Sequence, residues 1–280
     1  MVSSGEIPLR VQANVWAKHL SIARTGGIVL KALAQHDIFP VVVKGAVTAH
    51  RLYSDPSERD LTDLDLRVTE PELSRVRAIG REHGFTEVLF SDAYGMLSFE
   101  VAGQLVEFER FLGPPYFSSW SVDELRNDAE RHTDIFGVEH LEPRFEDHVL
   151  ITALNVFKDK LFDTTRGSLE DLRRFSGHRD WNERAVLERA GEHALERALA
   201  AVASLFVGEP GWRRLVAAAP WSTGTRTFAA LYTRIAKQFP QSIALKLAMR
   251  AAGRPHLLPQ ATFASVAHAL EQGRTQKRQP

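Results

Sequence analysis

Between Val11 and Gln35, the apolar residues Val15, Leu20, Ile22, Ile28, Val29 and Leu33 fall at helical spacing. They predict an amphipathic helix that Gly26-Gly27 would divide in two. Phe39-Pro40-Val41-Val42-Val43 is a short β-branched run of the kind that forms a buried strand, and Gly45 ends it. Ala46 to Tyr53 reads as a helix, with Val47, His50, Arg51 and Tyr53 spread around its surface. Ser54-Asp55-Pro56-Ser57 reads as a loop. Then the period changes to two: Leu64, Leu66 and Val68 alternate with Asp63, Asp65 and Arg67, the signature of a strand with one apolar face. A helix over Pro71–His83 follows, opened by Thr69 with Glu72 as its capping-box partner and stopped by Gly84. Strands are expected at Glu87–Phe90 and Leu97–Val101. After the Gly103 turn another runs through Gln104–Phe111, and Pro114-Pro115 closes the unit.

Past Ser121 the character shifts. One short strand is expected at Ile135–Val138, and from Glu146 the periodicity is helical through HVLITALNVFKDKLF, SLEDLRRF, ERAVLERAGEHALERALAAVASLF and RRLVAAAP. The tail EQGRTQKRQP is polar and reads as disordered. The fold class is therefore α+β, a mixed sheet with flanking helices followed by a helical half.

Composition narrows the chemistry. Lys plus Arg number 35 and Asp plus Glu 35 in 280 residues, so no overall positive field marks a nucleic-acid binder. The absence of cysteine excludes disulfides and thiolate zinc sites. The eleven histidines form no pair beside a glutamate of the zinc-hydrolase type, and there is neither a G-x-S-x-G elbow nor a Walker loop. No signal-peptide pattern or membrane-length apolar run is evident, so a cytoplasmic protein without a membrane partner is expected.

Two aspartates on one strand face remain to be explained. Residues i and i+2 of a strand point the same way, roughly 7 Å apart, so Asp63 and Asp65 repel each other unless a cation lies between them. An all-oxygen donor set favours a hard ion such as Mg²⁺. Taken alone, the pair is explained more simply as a solvated strand face, since Asp-x-Asp occurs often by chance. Its surroundings add weight. Strand–Lys44–Gly45–helix places backbone amides at a helix N-terminus, where phosphate binds readily. Glu107 and Glu109 alternate with Val106 and Phe108 on a further strand and offer a third carboxylate. Three acidic groups beside a glycine turn match a two-metal phosphoryl-transfer arrangement.

KGAVTAHRLY, then an arginine, then TDLDLRV resembles the nucleotidyltransferase superfamily with the DNA polymerase β-like fold. It is similar in particular to a bacterial branch of mostly unassigned substrate whose motif positions fall on Lys44, Gly45, Tyr53, Arg59, Asp63, Asp65 and Leu66. The resemblance covers about Phe39 to Phe111. It implies a catalytic domain over residues 1–120, a helical domain over 121–270 that completes the nucleotide and acceptor cleft, and the tail at 271–280. NVFKDKLFDTTRGSLEDLRRF also resembles a segment of the abortive-infection and toxin nucleotidyltransferases, which implies that Lys158 or Lys160 and Asp171 flank the nucleotide, with Arg166 nearby. The glycine turn departs from the wider fold: Ala46 stands where a serine or glycine is common, leaving backbone donors and Lys44 to contact phosphate.

The implied reaction moves a nucleoside monophosphate from an NTP, ATP by default, to an acceptor and releases pyrophosphate. Asp63 and Asp65 would hold Mg²⁺, with two ions expected. Glu107 is preferred over Glu109 as the third ligand and proton acceptor. Lys44 and Gly45 would cradle phosphates, and Arg59 would offset charge near the leaving group. The acceptor is expected to be a small molecule or peptide. A toxin-like transfer to tRNA and a non-catalytic nucleotide-binding module are the alternatives. A basic rim, for which the Arg173-Arg174, Arg179 and Arg184 stretch is a candidate, would favour tRNA. A cleft lined by Tyr53, Tyr94, Phe108, Phe111, Tyr116 and Phe117 would favour a small acceptor.

Overall fold

The structure, a computed structural model, describes residues 9–113, 115–157 and 167–238, together with isolated positions beyond. Lys158, Lys160, Arg166 and the polar tail, Glu271 apart, lie outside the described residues.

The β-branched run forms β1 (Val41–Val43), buried on both faces. It pairs antiparallel with β2 (Asp63–Arg67), which in turn runs parallel to β5 (Gln104–Glu109). Outward from β5 lie β4 (Met96–Val101) and β3 (Thr86–Ser91), both antiparallel to their neighbours. On the other side of β1 the sheet takes in β7 (His140–Glu142) and β6 (Glu130–His132), so strands from beyond residue 120 complete it. The result is one seven-stranded mixed sheet in the order β3-β4-β5-β2-β1-β7-β6.

Strand alternation then sorts the sheet's two faces. Leu64, Leu66, Val106, Phe108, Leu97 and Phe99 pack beneath α1 (Leu9–Ala34) and α3 (Glu70–Glu82). Thr69 and Glu72 cap α3 reciprocally, and Gly84, at φ +72°, follows its end. The opposite face carries Asp63, Asp65, Arg67, Glu107 and Glu109 and is turned toward the helical half. There α4 (Val122–Asn127), α5 (Phe145–Asn155), α6 (Gly167–Gly177), α7 (Glu183–Glu192), α8 (Glu196–Ala203) and α9 (Pro210–Ala218) enclose a second core around Leu154, Leu172, Phe175 and Trp212. The helix α10 (Thr223–Gln238) packs against α8.

Three expectations are corrected. First, α1 runs unbroken through Gly26-Gly27 because these glycines are notches rather than breakers. A Cβ on Gly26 would lie 2.4 Å from the Phe136 ring, and one on Gly27 would lie 2.8 Å from the Phe136 carbonyl. Second, Ile135–Val138 is not a strand but part of the connection between β6 and β7. Its apolar residues are spent on plugging α1, and Gly137 turns at φ +66°. Third, ERAVLERAGEHALERALAAVASLF is two helices. Ala194 adopts φ +57°, while the Leu195 amide reaches back to the Ala190 carbonyl at 2.8 Å and that of Ala194 to Gly191 at 3.2 Å. This ends α7 in a Schellman-like cap with Leu195 buried in the core. Among the described residues no helix is long and apolar enough to cross a membrane.

Candidate active site

The polar face of the sheet is assembled by register. Val43, Asp65, Glu107 and Ser98 are successive cross-strand partners on β1, β2, β5 and β4. Asp63 lies one same-face step along β2. Carboxylate oxygens of Asp63, Asp65 and Glu107 come within 4.8 Å of one another. Sequence distance is immaterial here, because the parallel β2–β5 pairing sets Glu107 directly beside Asp65.

Glu109 occupies the next step and plays a different part. Its Oε2 accepts from Arg67 Nη2 at 2.8 Å, in a pair whose arginine is 3% exposed. Of the two glutamates on this face, Glu107 therefore belongs to the aspartate cluster and Glu109 to the neutralisation of a buried guanidinium.

Burial pushes the Glu107 carboxyl up to about 7, helped by the negative charge of Asp65 and Glu109 and opposed by Lys44. The donor set consists of oxygen alone and is partly buried, as a hard divalent ion requires. A second group, His132, Asp134 and Glu142, has similar spacing. There Arg51 already donates to both carboxylates at 2.7–2.9 Å, and the Nε2 of His140 lies 2.9 Å from Glu142. That group is an arginine-neutralised network tying α2 (Gly45–Leu52) to β7.

Lys44 stands at the junction of β1 and α2, with φ 61° and ψ −141°. Its ammonium pairs with Asp65 Oδ1. Its backbone N–H donates to His148 Nε2 at 3.1 Å, and its carbonyl accepts from the amides of Val47 and Thr48. His148 is buried on α5, and burial lowers its pKa to about 4, so it accepts as a neutral ring. Gly45 leads α2, and a Cβ there would lie 3.0 Å from Leu61 and 3.4 Å from the Arg59 guanidinium. Its lack of a side chain lets Arg59 lie against the helix start.

Arg59 does not pair with Glu58 through its side chain. Its Nε and Nη2 donate to Asp171 of α6 at 3.0–3.2 Å, and the guanidinium occupies the space a Cβ on Gly167 would need. Asp171, 1% exposed, also accepts from Tyr53 Oη at 2.7 Å and Thr48 Oγ1 at 3.2 Å. Arg59, Tyr53 and Asp171 thus form one buried junction, which fastens α2 to the helical half. Val47 and Tyr53 are accordingly buried rather than on the surface. A small pocket opens beside the carboxylates, lined by Lys44, Arg67, Glu109, Leu112, Gly113, Ile151 and Asn155.

The model of an uncharacterised nucleotidyltransferase family matches residues 11–207. This chain belongs to that family. It is an enzyme of the nucleotidyltransferase type, and the match spans the sheet, the carboxylates and the first helices of the second half. No curated protein and no solved structure matches it.

The aromatic cleft expected of this nucleotidyltransferase does not form as foreseen. Phe108 and Phe117 are core residues at 1% exposure, and Tyr53 is committed to Asp171. Phe111 and Tyr116 do form a partly exposed pair, with ring centroids 5.5 Å apart. The sequence does not mark what His148, Thr48 and Arg67 do. Their roles depend on partners 104, 123 and 42 positions away, and no local motif marks them.

Proposed function

We propose that this nucleotidyltransferase moves a nucleoside monophosphate from an NTP, ATP by default, to a hydroxyl or phosphate of a small-molecule or peptide acceptor, releasing pyrophosphate. The observation that carries the reading is the convergence of Asp63, Asp65 and Glu107 within 4.8 Å on the polar face of the sheet. These residues would hold Mg²⁺, which when bound neutralises charge on the phosphates undergoing in-line displacement.

The remaining tasks fall to the chain's own groups. The first-turn amides of α2, led by Gly45, lie at the positive end of the helix dipole and suit phosphate oxygens. The Lys44 ammonium is a compact charge at the same corner. Arg59, against Gly45, adds positive potential at the helix start, although its charge is shared with Asp171. Glu107 takes the proton of the acceptor. Asp171, rather than touching the nucleotide, fixes the position of Arg59 and α2.

The arginine stretch lends little support to a nucleic-acid acceptor. Arg173 faces Glu170 and Glu209, Arg174 bonds Glu58, Arg179 lies by Asp180 and Arg184 bonds Glu188. A face so neutralised gives weak purchase on a phosphate backbone.

The test is incubation with each α-labelled NTP, Mg²⁺ and cell extract. A labelled small molecule or peptide that vanishes with Asp65→Ala supports the reading. Label confined to tRNA would favour the toxin-like alternative, and no transfer with any NTP would count against nucleotidylation of these acceptors.

A further inference from the structure

Lys44 combines a fixed backbone with a movable charge. The backbone is held from both sides: its N–H by His148 on α5, its carbonyl by the Val47 and Thr48 amides in the first turn of α2. It sits in a conformation that non-glycine residues rarely adopt. The side chain is a flexible four-carbon stem that ends in an ammonium with three rotatable donors. That ammonium contacts Asp65, with side-chain exposures of 14% and 5%. Asp65 is also one of the three carboxylates that could share an ion. One carboxylate therefore faces two claims from cations.

We propose that Lys44 is a resident counter-ion that competes with the divalent ion for Asp65 and moves onto the triphosphate when nucleotide enters. Metal and nucleotide then load cooperatively. This inference rests on the reading of the site as metal- and NTP-binding, and it deepens that reading by adding an order of assembly. The physical reason is that a partly buried ammonium and a divalent ion repel one another across a shared carboxylate. Detaching the lysine without a new partner leaves a desolvated charge unpaired, which is strongly unfavourable. Phosphate oxygens at the N-terminus of α2 supply that partner within reach of the same stem. Linkage is reciprocal, so whatever nucleotide does for metal affinity, metal does for nucleotide affinity.

Isothermal titration with Mn²⁺ alone, and with Mg²⁺ plus α,β-methylene-ATP, tests this on the full chain and on Lys44→Met, Lys44→Gln and Asp65→Asn. Removing the ammonium should tighten nucleotide-free Mn²⁺ binding by roughly 5- to 150-fold, the usual span of a coupling between sites. The same variants should weaken binding of the nucleotide analogue. Mn²⁺ bound no more tightly by Lys44→Met and Lys44→Gln than by wild type overturns the proposal. So does failure of both variants to fold, judged by circular dichroism, because that makes Lys44 part of the scaffold. Asp65→Asn separates the two levels. If it abolishes Mn²⁺ uptake while the lysine variants change nothing, only the competition is wrong. If it leaves Mn²⁺ uptake intact, the metal site itself is wrong.

Discussion

Asp171→Ala removes the carboxylate on which α2, the Arg59 loop and α6 converge. In the wild type it is 1% exposed and accepts from Tyr53 at 2.7 Å, Thr48 at 3.2 Å and two Arg59 nitrogens at 3.0 and 3.1 Å. Its loss strands a guanidinium whose side chain is only 15% exposed. Breaking one partner of a buried ion pair costs about 3–5 kcal/mol. Two stranded hydroxyls would add roughly 1–3 kcal/mol each if they stayed dry. Water entering the alanine-sized gap and reaching Arg59 offsets much of that addition, so the net loss should be about 3–5 kcal/mol. Urea unfolding followed by far-ultraviolet circular dichroism at pH 7 reads this as a fall in midpoint at unchanged slope. A cycle with Arg59→Met isolates the pair, and the double variant should lose much less than the sum of the singles. The same variant should also weaken NTP binding, because Thr48 and Tyr53 position the helix that begins at Gly45. A loss below about 1 kcal/mol, or strictly additive singles, would refute the reasoning that this junction is a buried, shared anchor.

The two glutamates on β5 should part company. Glu107→Gln should abolish transfer while barely changing the unfolding midpoint, whereas Glu109→Gln should chiefly lower stability by leaving Arg67 underpaired, checked by activity and urea titration side by side. Stability should also fall on acidification through His148. Its folded pKa of about 4 lies below the ordinary 6.5, so its contribution is complete above pH 6.5 and is lost progressively as pH falls through 4. His148→Gln should flatten urea midpoints measured between pH 7 and 4. Gly80→Ala would drive a methyl to within 2.3 Å of the Phe99 ring, so a destabilisation of about 1–3 kcal/mol is expected by thermal melt.

What the sequence disclosed was the part written in short-range periodicity. The Asp63–Val68 alternation placed both aspartates on one face because strand side chains have a period of two. The capping residues Thr69 and Glu72 marked the start of α3 for a similarly local reason. Long-range packing was not legible. Gly26-Gly27 reads as a breaker until Phe136 is seen lying against it, and Ile135–Val138 reads as a strand until its Phe136 is seen to be a plug. The choice between Glu107 and Glu109 rested on resemblance, because both share a face. Register tells the two apart, by seating one beside Asp65 and the other beside Arg67. Asp171 and Arg59 are both candidates in the sequence, but no local pattern shows their mutual contact across 112 positions.

The central claim is that Asp63, Asp65 and Glu107 form a divalent-ion site that receives a triphosphate. Calorimetric titration of ATP and the other NTPs into wild type and Asp65→Asn, with Mg²⁺ and again with EDTA, tests it most directly. The account predicts uptake of at least one NTP by wild type only when Mg²⁺ is present, with none by Asp65→Asn. Equal uptake by the two proteins, or uptake indifferent to EDTA, would contradict it.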